Sequence, residues 1–186
     1  MAPLNPDTPS GGIVLAQSDE SRVTAPDVSV ADQAALVAGN QALALDLYGY
    51  LVQDSDENLF FSPHSISVAL AMTYAGARAE TARQMAETLH FGLPQDRLHP
   101  AYNALALALA SRNQADAGDE DERGFQLNVV NALWGQKDYD FQQDFLDALA
   151  RNYGAGMRLV DFVNEAEAAR QLINGWVSEQ TEGKIE

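Results

Sequence analysis

The 186-residue chain contains 11 basic and 27 acidic residues, so its formal net charge is −16. Apolar residues make up 46 % of it, the share of an ordinary globular protein. A sequence pI near 4.3 argues against nucleic acid as a partner and against binding to anionic membranes. The absence of cysteine excludes disulfides, thiolate metal sites and a cysteine nucleophile. No apolar run approaches the roughly 20 residues of a membrane span.

Residues 1–31 are predicted to form a flexible N-terminal arm, because four prolines and the pair Gly11-Gly12 interrupt them. The longest apolar run in the arm, Ile13 to Ala16, is shorter than the roughly 7–15 apolar residues of a secretory signal. Either the protein is not exported or its signal lies outside these residues. The folded part is predicted to cover 32–186.

The first predicted helix begins with Asp32 as its N-cap and ends near Val52. Its leucines recur at helical spacing and form one stripe: Leu36, Leu43, Leu47 and Leu51. The apolar run 58–61 that follows is predicted as a short buried strand. Ser62 and Pro63 then begin a second helix, since serine is favoured as N-cap and proline at the first helical position. This helix is apolar on nearly all faces, which predicts burial in the core.

Two more helices and an acidic loop complete the first half of the chain. One helix is predicted to begin at Thr81, where Gln84 would complete a capping box. The next is predicted from Pro100 to Arg112. The loop 116–123 carries five carboxylates and is predicted to be a solvated turn.

The second half is predicted as strand, helix, strand, helix, because the apolar residues first alternate and then recur at helical spacing. The strands are expected over 125–134 and 157–163, and the helices are expected to begin at Asp140 and Asn164. Strands separated by helices usually lie parallel in one sheet. Two strands are too few to cover these helices, and a third is expected after Gly183. The pattern therefore predicts an incomplete domain.

The motif spacings of metal, nucleotide and hydrolase sites do not occur in the sequence. Its three histidines, at positions 64, 90 and 99, do not form a ligand spacing. Residues 54–58 match the first ligand positions of a calcium loop, but Leu59 and Ser65 stand where such a loop needs glycine and glutamate. We therefore predict no enzyme activity, no catalytic residue, no metal and no cofactor.

The segment 58–77, NLFFSPHSISVALAMTYAGA, resembles the serpin family, whose members carry a buried strand, an F-S-P turn and an alanine-rich helix at this place. Further similar segments follow in order: TARQMAETL at 81–89, NALW at 131–134, the strand at 157–162, and INGWV at 173–177. The resemblance implies an α+β, serpin-like fold. It would comprise helices A to F and the first strands of sheets A and B. The remaining strands and the reactive-centre loop would follow Glu186.

The resemblance implies inhibition of serine or cysteine proteases by a suicide mechanism. The target protease cleaves the exposed loop, which inserts as an extra strand into sheet A and carries the acylated protease along. The native state would then be kinetically trapped. An extracellular or periplasmic location is implied too. Some family members bind heparin through a basic helix, but here that helix offers only Arg112 and the flanking Arg97, so we predict no heparin site.

The resemblance also implies four residues that would control the sheet, none of them catalytic. Ser62 and Ser65 match two serines under the centre of sheet A, the shutter region. Asn131 and Asn174 match positions near it. Each also has a structural interpretation: Ser62 as a helix cap, Ser65 as a first-turn serine, and the two asparagines as buried amides with partners.

Two alternatives to a protease inhibitor stay open at this point. The first is a serpin-fold protein that has lost inhibition and acts as a carrier, chaperone or binding protein. It would differ in the hinge of the reactive-centre loop, which is not among these residues. The second is an unrelated helical binding module, which requires the similarity over 58–77 to be coincidental.

Overall fold

The computed structural model describes residues 14–53, 57–113, 127 and 129–186. These residues form two compact units. The helical unit is Val23–Val129, and the sheet unit comprises the described residues up to Arg22 together with Val130–Glu186. The predicted acidic loop over 116–123 and positions 125, 126 and 128 of the predicted strand lie outside the described residues.

The described part of the helical unit contains four α-helices and a 3₁₀ turn. They are α1 Val30–Leu51, α2 Pro63–Tyr74, α3 Ala79–Thr88, α4 Gln95–Ala110 and the 3₁₀ turn Ser111–Asn113. Their core consists mainly of aliphatic and aromatic side chains: Leu36, Leu43, Ala71, Met72, Tyr74, Leu89, Phe91, Leu98, Ala101 and Tyr102. The predicted order of four helices is therefore confirmed.

Helix α1 is present as predicted, but its N-cap is Ser29 rather than Asp32. The Ser29 hydroxyl accepts a hydrogen bond from the backbone N–H of Asp32 at 3.1 Å. Asp32 lies in the first turn, where its buried carboxylate pairs with Arg97 of α4. Aspartate is favoured in both positions, so its residue type could not distinguish them. Leu36 and Leu43 of the predicted stripe are buried.

Helices α3 and α4 begin earlier than predicted. Thr81 lies inside α3, and Gln84 donates to the Glu80 carboxylate at 2.9 Å instead of completing a capping box. Helix α4 has Pro94 at its N-cap position and carries Pro100 in its interior. Leu98 and His99 are buried just before Pro100. Their burial outweighs the one hydrogen bond that an internal proline cannot donate.

The strand predicted at 58–61 is not formed, so the expected first strand of sheet B is wrong for the described residues. These residues are irregular, and the Phe60 side chain is fully exposed. A strand exists only where its backbone groups find a partner. The apolar composition of the run does not supply that partner.

The sheet unit contains β1 Val14–Ala16, β2 Leu133–Gln136, α5 Gln143–Tyr153, β3 Met157–Val160 and α6 Ala166–Gln180. Strands β2 and β3 are parallel, as predicted, and pair from Leu133 opposite Met157 to Gln136 opposite Val160. Both are shorter than predicted, and the described residues before Leu133 are not strand. The four-residue ladder sets their length, whereas alternation alone extended the prediction to 125–134 and 157–163.

Strand β1 lies within the predicted N-terminal arm. It pairs antiparallel with β3, so the order in the sheet is β1-β3-β2. The prediction of a flexible arm over 1–31 does not include this strand. Three residues with only a short apolar run give too weak an alternation to be distinguished from irregular chain.

The helices of the sheet unit confirm one predicted end and correct two predicted starts. Gly154 closes α5 in the left-handed conformation, with φ +59°, which favours glycine. Asp140 and Asn164 are not the N-caps of α5 and α6. Gln142 and Glu165 hold those positions and make no side-chain cap bond. The core of this unit is formed by Leu146, Leu149, Ala150, Met157, Val160, Ala169 and Trp176.

Candidate functional site

The structure brings together Ser62 and Ser65, the two serines matched to the shutter, at the start of α2. The Ser62 hydroxyl accepts a hydrogen bond from the Ser65 backbone N–H at 3.3 Å and donates to the Ser65 Oγ at 3.0 Å. An N-cap side chain reaches the residue three positions on, so this contact follows directly from Ser-Pro at a helix start. Ser62 is exposed and Ser65 is half-buried. The pair therefore begins the helix and also presents hydroxyl groups at the surface.

Directly after the serine pair, α2 carries an apolar face. Ile66 and Leu70 lie one turn apart and are 37 % and 36 % exposed. The prediction that α2 is buried on nearly all sides is therefore wrong for this face in the part of the chain that the structure describes. The sequence indicated an apolar helix correctly, but it carries no information on which faces a neighbour covers.

The buried face of α2, which includes Ser67, is held by a buried polar network. The Tyr102 hydroxyl donates to the Asn40 side-chain oxygen at 3.1 Å, and the Ser67 hydroxyl lies 2.5 Å from the Tyr102 oxygen. Since Tyr102 gives its single proton to Asn40, Ser67 donates to Tyr102. Burial raises the pKa of Tyr102 to about 12, although the Ser67 bond acts in the opposite direction. The network ties α2 to α1 and α4.

Two histidines of the helical unit are held in their neutral form by burial. His99 of α4 is 4 % exposed, and its ring centroid lies 6.1 Å from that of Tyr74. Burial, with a smaller effect of the Arg78 charge, lowers the pKa of His99 to about 4. Burial also lowers the pKa of His64, in the first turn of α2. The charged imidazolium is disfavoured at both positions because it loses its hydration.

The two asparagines matched to the shutter lie in the sheet unit. Asn131 is half-buried, two residues before β2, and Asn174 is exposed on α6. The interpretation of Asn174 as a buried amide is therefore wrong. The structure brings Ser62 and Ser65 into contact, whereas Asn131 lies in the irregular chain before β2 and Asn174 lies on α6. A common region formed by all four residues stays a prediction.

A polar cluster at the end of β3 was missed by the sequence analysis. The buried Asp161 carboxylate accepts bonds from the Asn164 backbone N–H at 3.0 Å, from the Gln136 amide at 3.1 Å and from Lys137 at 3.0 Å. The Gln136 oxygen accepts from the Phe162 backbone N–H at 2.8 Å. The bonds from Asn164, followed by those from Gln136 and Lys137, hold the pKa of Asp161 well below its ordinary value. The cluster fixes the turn that leads from β3 to α6.

A buried arginine joins α6 to the sheet. Arg158 of β3 is 7 % exposed, and its guanidinium carbon lies 4.5 Å from the ring centroid of Trp176 and 5.8 Å from that of Trp134. The two tryptophan rings are 5.8 Å apart and nearly perpendicular. Cation–π and edge-to-face contacts of this kind favour one fixed position of the helix on its sheet. The sequence pattern suggested Trp176 as a core residue but did not single out Arg158.

The two basic residues considered for heparin binding lie near opposite ends of α4. The Arg97 guanidinium binds the Asp32 carboxylate, a contact that raises the pKa of Arg97. Arg112 lies in the 3₁₀ turn after α4.

Across the described ranges, no three His, Asp or Glu side chains are grouped so that they could hold a metal ion. None of the helices described is both long enough and apolar enough to cross a bilayer.

The sequence of this chain is similar to those of known protease inhibitors. A family model described as serpin (serine protease inhibitor) matches residues 38–186. The leukocyte elastase inhibitor of Xenopus laevis is 42 % identical over 132 residues, which cover 71 % of this chain and 33 % of that protein. The human leukocyte elastase inhibitor is 39 % identical over 153 residues, covering 81 % and 37 %. The chain thus spans about a third of the length of these curated relatives.

Solved structures show the same fold. Cleaved kallistatin, crystallised in complex with heparin, superposes with a TM-score of 0.66 at 26 % identity, over 82 % of this chain and 43 % of kallistatin. Ovalbumin of the emu, Dromaius novaehollandiae, superposes with a TM-score of 0.64 at 24 % identity, over 82 % and 41 %. The predicted α+β, serpin-like fold is confirmed. Because the family model covers well over half of the chain, the protein belongs to the serpin family.

Proposed function

We propose that this chain takes part in the inhibition of a serine protease, as part of a serpin domain over 32–186. The observation that carries this proposal is its identity of 42 % and 39 % to two proteins named leukocyte elastase inhibitor. Inhibition would follow the suicide route. The protease serine attacks a loop that the resemblance places after these residues, and the acyl-enzyme is trapped when the cleaved loop inserts into the sheet.

The sheet unit supports a role in accepting that strand. Strands β2 and β3 form a parallel pair, and β2 is an edge strand of the described sheet. Helix α6 packs on the sheet through Trp176 and Arg158. An inserted strand enlarges a sheet that these strands begin, so the contacts of α6 influence how easily the sheet rearranges. Cooperative packing of this kind favours two discrete arrangements rather than a continuous deformation.

The proposal includes the shutter role of Ser62, Ser65, Asn131 and Asn174. Its support is the direct contact between the two serines at an exposed helix start. None of the four acts as a catalytic group, since the target serine or cysteine protease supplies its own nucleophile. Neither a cofactor nor heparin is part of the proposal. An extracellular or periplasmic location stays a prediction from the family resemblance.

The direct test of inhibition uses the polypeptide encoded by the complete reading frame that contains these 186 residues. It is incubated with an elastase-type serine protease, and the mixture is boiled in SDS and separated by electrophoresis. We expect a covalent complex with the summed mass of inhibitor and protease, and loss of protease activity. Cleavage of the polypeptide with full retention of protease activity would contradict inhibition and favour the non-inhibitory carrier or chaperone.

The shutter role is tested by Ser65→Phe, with Ser111→Phe as the matched control. Ser65 is half-buried and bonded to Ser62, whereas Ser111 is exposed at the end of α4. Overpacking at Ser65 is expected to cost ~1–3 kcal/mol of unfolding free energy and to promote loop insertion or polymers on native gels. Equal melting temperatures and equal gel mobility of the two variants would refute the shutter role.

A further inference from the structure

The outer edge of β3 is covered by a segment of the chain that the sequence pattern had placed in a flexible arm. Strand β1 pairs antiparallel with β3 across three residues, with Leu15 opposite Arg158. On its other side β3 pairs with β2. Without β1, the backbone N–H and C=O groups along the outer edge of Met157–Val160 would be open to any other extended chain.

The segment continues past the strand as a strap over 17–22 that is tied to α5. The Ser18 hydroxyl donates to the Asp147 carboxylate, and this bond is the main cause that lowers the pKa of Asp147. The Glu20 carboxylate lies 4.0 Å from the Arg151 guanidinium. Asp147 and Arg151 are one turn apart on α5. Two successive turns of the helix therefore hold the strap by side-chain contacts that are independent of the strand pairing.

Two glycines in the connection from α5 to β3 fit the path of the strap. A Cβ atom at Gly156 would lie 3.0 Å from the Gln17 Cβ and 3.1 Å from the Ala16 carbonyl oxygen. A Cβ atom at Gly154 would lie 2.8 Å from the Arg22 Cδ. Gly154 is also required by its positive φ as the end of α5. Gly156 has no such backbone requirement, so its missing side chain is explained by the close approach of the strap.

We propose that the outer edge of β3 is a strand-addition site and that its resident occupant is the segment 14–22 of the same chain. The segment is recognised by antiparallel main-chain pairing with β3. Two side-chain contacts with α5 reinforce this pairing: the Ser18 hydroxyl binds Asp147, and the Glu20 carboxylate lies near Arg151. Occupation in cis shields the edge from pairing with a second copy of the protein. This inference is independent of protease inhibition.

The first test replaces both Leu15 and Ala16 by proline in the full chain. Proline has no backbone N–H to donate. Because successive residues of an antiparallel strand alternate in facing the partner, one of these two N–H groups must face β3, and the double change removes it. We expect amide hydrogen exchange to rise at least tenfold at the β3 amides that face β1 and to stay unchanged at those that face β2. The control is Thr24→Pro with Asp27→Pro, two exposed positions in irregular chain. Unchanged exchange throughout β3 in the Leu15/Ala16 variant would overturn the proposal.

A second variant keeps the test informative if the double proline variant does not fold. Gly156→Ala displaces the strap by contact with Gln17 and Ala16, and it is expected to raise the same β3 exchange rates. Gly175→Ala is its control, because a Cβ atom there would have nothing within 4 Å. When Gly156→Ala is added to the double proline variant, the β3 exchange rates should not rise further, because both changes disrupt the same pairing of β1 with β3. Full additivity would contradict a shared cause.

The occupant itself is identified with a synthetic peptide of residues 14–22, VLAQSDESR. Added to the double proline variant, it is expected to restore slow exchange at β3, whereas a scrambled peptide of the same composition is not. No effect of the VLAQSDESR peptide would overturn the proposal. So would a wild-type protein that elutes as a dimer and a proline variant that elutes as a monomer, because the strand would then come from a second copy.

Discussion

Acidification is expected to destabilise the helical unit through one buried histidine, His99. The residue is 4 % exposed and packs near the Tyr74 ring. Burial, aided by the charge of Arg78, lowers its pKa from the ordinary 6.5 to about 4 in the folded chain. Unfolding restores the ordinary pKa, so between these two values the unfolded chain binds a proton that the folded chain does not.

The sign and size of the effect follow from the two pKa values. Above about pH 6.5 His99 is neutral in both states, and its full contribution to stability is present. As the pH falls, the unfolded state is protonated first, so the unfolding free energy decreases by about 1 kcal/mol at pH 5.5 and by about 2 to 3 kcal/mol at pH 4.5. Below about pH 4 both states are protonated and His99 causes no further loss.

The assay is urea denaturation of the wild type and of His99→Phe at about pH 7.5, 5.5 and 4.5. Phenylalanine keeps a ring near Tyr74 but cannot titrate, so the variant should lose most of the pH dependence in this range. Burial also lowers the pKa of His64, which acts with the same sign, and His64→Gln measures that smaller part. If His99→Phe keeps the full pH dependence of the wild type, the reasoning from burial is refuted.

Three further predictions concern packing, capping and acid stability. Leu149→Ala, at a fully buried position, should lower the free energy of unfolding measured in urea by about 2–5 kcal/mol. Leu45→Ala, at a residue that is 71 % exposed, should change this free energy by less than about 0.5 kcal/mol. Ser29→Ala removes the N-cap of α1 and should cost ~1 kcal/mol, and an unchanged denaturation midpoint would contradict the cap. The lowered pKa of Asp161 contributes stability that is present above its ordinary pKa of 3.8 and lost at lower pH. Asp161→Asn should therefore flatten acid unfolding below about pH 4, and an unaltered acid transition would count against the cluster.

Local signals in the sequence predicted those elements whose cause is itself local. Ser62 with Pro63 and the closing Gly154 are confirmed because a cap bond or a positive φ depends on neighbours in the chain. Asp32 and Thr81 have cap-forming side chains as well, but they lie inside helices. A chain rich in such side chains offers more candidate caps than helix ends, and tertiary packing decides among them.

Features that depend on distant partners could not be predicted in this way. The run 58–61 has strand composition but no strand partner. Val14–Ala16 has only a weak pattern, yet it pairs with residues more than 140 positions away, with Val14 opposite Leu159 and Ala16 opposite Met157. Arg158 would be expected on an exposed strand face, yet Trp134 and Trp176 cover it. In each case the deciding contact joins residues that are far apart in sequence.

Thermal unfolding of the intact protein and of the same protein after cleavage within its reactive-centre loop tests strand insertion most directly. The comparison uses the polypeptide of the complete reading frame. If the native state is kinetically trapped and the cleaved loop enters the sheet that β2 and β3 begin, the cleaved protein must melt at a higher temperature than the intact one. An equal or lower melting temperature after cleavage would contradict strand insertion, and with it the suicide mechanism proposed for this serpin.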